Sequence, residues 1–241
     1  DFERAVTHAL DSADYGLVTF VPDQLFPTPG RDLQLAVDAA TSLGSDSVEI
    51  HLAAGEYASP FAVTGFDGLT ISGRGKSETT INPSHVLASG IGHKYTTDMN
   101  SVVIVDDSQN VLLRDFTVTT GGLAWGSGSN QVDSVILWSS SSGEIAGVHV
   151  DGSLTDELSG AQTGQGIAVD GGDTDLLLRD TDVSNWNKNA IDIVDGNAGT
   201  TSGGTITVNV EGGLLTAGGS TSVLAQNGIL YWSLYGGEVS G

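Results

Sequence analysis

Asp170 and Asp192 are the acidic side chains best placed to do acid–base chemistry. Each sits in a short apolar run, GIAVD (166–170) and AIDIVD (190–195), and so on a strand. On neighbouring strands their carboxylates would lie about 4.8 Å apart along the stack before any offset. Like charges at that range push two pKa values apart, as paired acid–base or retaining-glycosidase chemistry requires. The same pair is equally suited to share a cation. Asp170-Gly171-Gly172-Asp173-Thr174-Asp175 offers three carboxylates on a glycine-bent turn, the oxygen-rich setting calcium takes, without the distal Glu of an EF-hand. Ca2+ on Asp170, Asp173 and Asp175 is therefore the cofactor expected, and no organic cofactor is. Lys188 and His149, the latter close to Asp151, complete the candidate catalytic set. Trp125, Trp138, Trp186 and Trp232 are candidate platforms for sugar rings. The alternatives are structural: Asp-Gly pairs as tight corners, and indoles as an oligomer interface. His85, His93, Lys94 and Tyr95 cluster in 82–100, a stretch without strand pattern that reads as the lip of a groove. No nucleophile elbow, zinc-spaced histidine pair, phosphate loop or dinucleotide fingerprint accompanies these residues.

The elements that must position them form a repeat. SVVIVDD, SVILWSS, GIAVDGG, AIDIVDG and GILYWSL start at 101, 134, 166, 190 and 228. The first four are each followed by a turn and a second strand, and LLRD occurs twice, at 112–115 and 177–180. Self-similarity at that period marks a solenoid, and the short strands with Gly, Asp, Asn and Ser corners select stacked strands over helices. Alternation then places Ile104, Leu137, Val169 and Ile193 in one interior column. The outward rank reads Val103, Ile136, Ala168, Asp192, Leu230 and Val105, Trp138, Asp170, Val194, Trp232. An outward rank this apolar needs a cover: the chain's own loops, a second copy, or a sugar polymer. Long connections at 119–133, 151–165 and 213–227 put the loops, and with them a groove, on one side.

Thirty acidic and eight basic residues give a formal charge of −22, which repels nucleic acid and anionic membrane and excludes both as partners. Such a surface suits a protein of saline media, secreted or carried on a cell surface. There is no cysteine, hence no disulfide or thiolate chemistry, and no apolar run long enough to span a membrane.

In chain order, 1–14 reads as helix, Gly16–Val21 as a strand and the proline-rich 22–30 as an extended linker. Residues 1–31 are thus an extension and 32–241 the solenoid domain, expected to belong to a longer parent chain. LQLAVDAATSL after Asp32 forms a short helix with Leu33, Ala36, Val37 and Ala40 on one face, a cap for the open end of the stack. Leu33-Gln34, Ala36 to Ala40, Ile50, Gly55-Glu56-Tyr57, Leu69-Thr70-Ile71, Gly73-Arg74-Gly75 and Thr80-Ile81 together resemble the opening of the pectin-lyase-like superfamily. The opening is most similar to that of pectin methylesterases.

That resemblance implies an all-β fold, a single-stranded right-handed parallel β-helix with an N-terminal capping helix. It also implies glutamines that hold an oxyanion and two aspartates acting as acid/base and nucleophile. Gln165 to Val169 resembles the coil of the first glutamine, and Ile191 to Ala198 the segment around the nucleophilic aspartate, here Asp192. Where that family has a Gln-Asp pair this chain has Trp186-Asn187, and 180–241 holds Lys188 but no arginine. Two functions from different classes follow. One is an extracellular carbohydrate-active β-helix, a lyase, hydrolase or esterase if catalytic, binding polysaccharide as a monomer. The other is a non-catalytic surface module, an adhesin or viral spike, that self-associates, for instance as a homotrimer, through its apolar outer rank.

Overall fold

The computed structural model describes residues 21–44, 47–93, 98–126, 128, 130–153, 163–195, 204–217, 227–233 and 238–240. The helix and strand read over 1–20, and Lys94 and Tyr95, lie outside them.

Three sheets run the length of the stack. Sheet A has eight strands, from Gln24–Leu25 through Val48–His51, Leu69–Ser72, Val111–Arg114, Ser142–Ala146 and Thr174–Arg179 to Thr205–Glu211 and Glu238–Ser240. Sheet B has six: Gly55–Tyr57, Thr79–Ile81, Thr117–Thr119, His149–Asp151, Asp182–Ser184 and Leu215–Thr216. Sheet C contains Phe61–Thr64, Asn100–Asp106, Ser134–Ser139, Gln165–Asp170, Asn189–Asp195 and Asn227–Ser233, with Leu87–Ala88 added antiparallel to Asn100–Asp106. The other named strand pairs are parallel, each coil passing from C to A to B. The fold is the stacked-strand solenoid expected from the repeat and the right-handed parallel β-helix that the resemblance implies. Gln24–Leu25 pairs with Glu49–Ile50, so the stretch read as a linker supplies the first strand of sheet A.

The sequence explains the corners. Both LLRD copies end a sheet A strand, and their aspartates, Asp115 and Asp180, take left-handed φ of 61° and 48° at the turn into sheet B. Asp and Asn tolerate that region at least cost after glycine. Gly143 has φ 150°, and a Cβ there would stand 2.0 Å from the Val111 carbonyl oxygen of the coil below. Gly143→Ala is expected to lower stability by roughly 1–3 kcal/mol or more, read as a fall in the urea midpoint.

The helix spans Leu33–Leu43, opened by Asp32, whose side chain accepts from the Gln34 amide, and closed by left-handed Gly44. It buries Leu33, Ala36, Val37, Ala39 and Ala40. Gln34 accepts from the Ala62 amide at 2.7 Å and donates to its carbonyl at 3.1 Å, occupying strand groups that would otherwise face water. The connections 120–133, 152–164 and 217–226 all join sheet B to sheet C, the single side expected for the long loops, and 82–99 joins the same two sheets.

The register of sheet C corrects the reading of its faces. Ser101, Ser134, Gln165, Asn189 and Asn227 share one column, one residue earlier in the last three coils than the sequence alignment assumed. Because side chains alternate, a one-residue slip exchanges the faces. The interior columns are Val103, Ile136, Ile167, Ile191 and Val105, Trp138, Val169, Ile193, all part of the main core. Ile104 and Leu137 are not interior. With Ala168 they form a separate cluster on the outer face, packed with Met99 and against Leu87 and Ile91. Ile104, Leu137 and Ala168 of the apolar outer rank are therefore covered by the chain's own Leu87, Ile91 and Met99, while Leu230 and Trp232 in the last coil stay half-buried.

Candidate functional site

The same columns set Asp192 on the outer face of sheet C, paired with Ala168, while Asp170 stands two residues further along the neighbouring strand. Between them lies His93. Its Nδ1 is 2.8 Å from Asp170 Oδ2 and its Nε2 3.2 Å from Asp192 Oδ2. Asp170 also accepts from the Gly171 amide at 2.6 Å. Asp192 Oδ2 accepts from Asn189 Nδ2 at 2.8 Å and Gln165 Nε2 at 3.3 Å. Burial alone would push the imidazole pKa down, yet the hydrogen bonds and charges of the two carboxylates outweigh it and raise His93 to about 9. His93 is thus an imidazolium at neutral pH, clamped between carboxylates of successive coils.

The cluster is sealed. His93 is 2% exposed, Asp170 1% and Asp192 0%. Water and a sugar are both excluded from atoms this deep, so the arrangement holds residues 87–93 against sheet C. Of the aspartate pair, the sequence located the face and the adjacency. It missed the histidine between them, signalled only by two histidines in a patternless stretch.

The remaining predicted residues scatter. Trp138 is fully buried in the core, where its Nε1 donates to the Ser141 carbonyl at 3.1 Å, and cannot stack on a sugar. Trp186 is also a core residue. Trp125 is half-buried against the core, and Trp232 is half-buried on the outer face beside Val194. Lys188 is half-buried at the turn entering Asn189–Asp195, its amide bonded to the Gly164 carbonyl. Gln165 is in the sealed cluster, as above. Asp173 is exposed at the turn into sheet A and Asp175 on the strand that follows, and Asp173 Oδ1 accepts from the Thr205 amide at 3.1 Å. The Asp170 carboxylate is turned away from them toward His93. Among the described residues no three His, Cys, Asp or Glu side chains gather as metal ligands.

His149 lies apart, on the outer face of sheet B. It shares a column with Thr117 and Asp182, and Thr119, Asp151, Ser184 and Thr216 form the column beside it. His149 Nε2 is 2.8 Å from Ser184 Oγ, whose other neighbour is Asp151 Oδ1 at 3.5 Å. Lys76 reaches over from an earlier coil to Asp182 at 2.7 Å. Lys76, His149, Asp182, Ser184, Leu214 and Thr216 line an open cavity of about 380 Å3. Leu214 is 62% exposed and supplies an apolar surface beside the polar rows.

No protein-family model and no curated protein sequence matches this chain. Among solved structures it is similar to pectin methylesterases. A mutant pectin methylesterase in complex with a hexasaccharide matches at 12% identity and TM-score 0.41, and PemA of Erwinia chrysanthemi at 14% and 0.38. Each match covers 73% of this chain, which spans 58% of the other. The likeness is one of fold. The parallel β-helix places the residues above; their roles follow from their own geometry.

Proposed function

We propose that this protein is an extracellular β-helix that binds polysaccharide along the outer face of sheet B. The carrying observation is the open cavity around His149 and Ser184. A sugar ring presents an apolar face and a rim of hydroxyls. The exposed Leu214 side chain suits the first, and the His149, Ser184, Thr216 and Asp182 groups, repeated from coil to coil, suit the second. One pectin methylesterase similar in fold is in complex with a hexasaccharide. A strongly acidic surface disfavours polyanions, so a neutral or esterified polymer is the ligand class.

Binding is preferred to processing because Asp170 and Asp192, the pair suited to hydrolysis, are engaged by His93 and closed to solvent. Self-association through the early coils of the outer rank loses its motive, since Leu87, Ile91 and Met99 already cover Ile104 and Leu137.

Titration calorimetry against neutral and esterified polysaccharides tests the reading. Saturable binding is expected, weakened about tenfold in the double variant His149→Ala/Ser184→Ala, by loss of two hydrogen-bonding side chains. Failure to bind any member of the panel, or equal binding by the variant, would overturn it. Release of new reducing ends or acyl groups would convert it to processing.

A further inference from the structure

A second cavity, of about 450 Å3, opens at the corner between sheets A and B near the start of the stack. It is independent of the sheet B cavity. Two of the chain's five arginines line it. The Gly73 amide donates to the Arg114 carbonyl at 2.9 Å and the Gly75 amide to the Asp115 carbonyl at 2.8 Å, so Arg74 and Arg114 project from backbone segments bonded side by side. His51, stacked on Phe26 with ring centroids 4.9 Å apart, forms part of the wall.

The pairing of these arginines is unusual for so acidic a chain. With 30 acids for 8 bases, a basic side chain readily finds a carboxylate. Arg179 is held by Glu144 at 3.1 Å and Glu211 at 3.3 Å, and Lys76 by Asp182 at 2.7 Å. The Arg74 guanidinium makes no hydrogen bond or ion pair with any described residue. Arg114 has one loose approach, Nε to Asp115 Oδ2 at 3.9 Å, and its two terminal nitrogens make no ion pair with any described residue. Glu78 and Asp115 also line the cavity and offset the two guanidinium charges, so its lining is formally neutral where the chain as a whole carries −22.

We infer that this corner binds the oxyanion of a small ligand, a carboxylate or a phosphate, between the forks of Arg74 and Arg114. A planar fork takes such oxygens two at a time, which a lysine does not. Calorimetry on the full chain at low salt, with glucuronate and with inorganic phosphate as probes, tests it. One-to-one binding of at least one probe is expected, weakened roughly tenfold or more by Arg74→Ala and by Arg114→Ala, and only partly restored by Arg74→Lys. Affinity should fall as salt rises. The better probe identifies the anion. If neither probe saturates, or Arg74→Ala/Arg114→Ala binds as the parent does with an unchanged circular dichroism spectrum, the site does not exist. The His149→Ala/Ser184→Ala variant should bind the probes as the parent does, which separates this site from the polysaccharide cavity.

Discussion

His93→Ala is expected to destabilise the protein by about 3–5 kcal/mol, the cost of leaving buried carboxylates without their cation. Asp170 and Asp192 would remain in a space from which water is excluded, and residues 87–93 would lose their polar attachment to sheet C. A lowered urea midpoint checks this, with greater proteolytic sensitivity around residues 87–99 as the local signature. The imidazolium also imposes a pH dependence of definite sign. Its pKa is about 9 in the folded protein against 6.5 for an unperturbed histidine. Below 6.5 both states carry the proton and the contribution is complete. Between 6.5 and 9 the unfolded chain releases the proton while the folded one keeps it, so stability declines with rising pH; above 9 the contribution is gone. Midpoints measured from pH 6 to 10 should fall across that window in the parent and lose that component in His93→Ala. A parent profile flat from 6.5 to 9 would show that His93 is not protonated between the carboxylates.

Trp138→Ala carries the second large effect. The side chain is fully buried in the main core, so its removal leaves a large void, and losses of about 3–5 kcal/mol accompany such truncations. The indole hydrogen bond to Ser141 is lost as well. Trp138→Phe should recover most of the packing. Polysaccharide affinity of the folded fraction should be unchanged in both, since Trp138 faces no ligand surface. An outward tryptophan would behave oppositely, with near-parental stability and lost binding, so the pair of measurements separates core from platform.

The distance between what the chain spells out and what it forms can be traced to particular residues. The strands, their parallel stacking, the Asp32-capped helix and the one-sided long loops follow from local pattern, because turn chemistry and period act over a few residues. Register does not. The run Gln165-Gly166-Ile167 can be matched to Ser134-Val135-Ile136 or slipped by one, and glycine offers no side chain to decide between them. The slip left the last three coils with correct faces, hence Asp170 and Asp192 outward. It inverted the first two, hence Trp138 outward and Ile104 and Leu137 inward. Trp186 lay beyond the reach of pattern altogether, since a turn tryptophan buries only when its neighbouring coils are in place. His93 was hardest to read, because its partners come from strands far along the chain.

That separation bears on synthesis. In a stack of coils most contacts join neighbours, and each new coil can settle on the one before it as it leaves the ribosome. His93 and Asp170 are 77 residues apart, and Asp192 is later still. The apolar patch of Ile104 and Leu137 must therefore wait for two further coils before the histidine that fastens its cover has anywhere to anchor. A nascent chain halted before Asp170 would carry that patch without its fastening, the stage at which a chaperone is most needed.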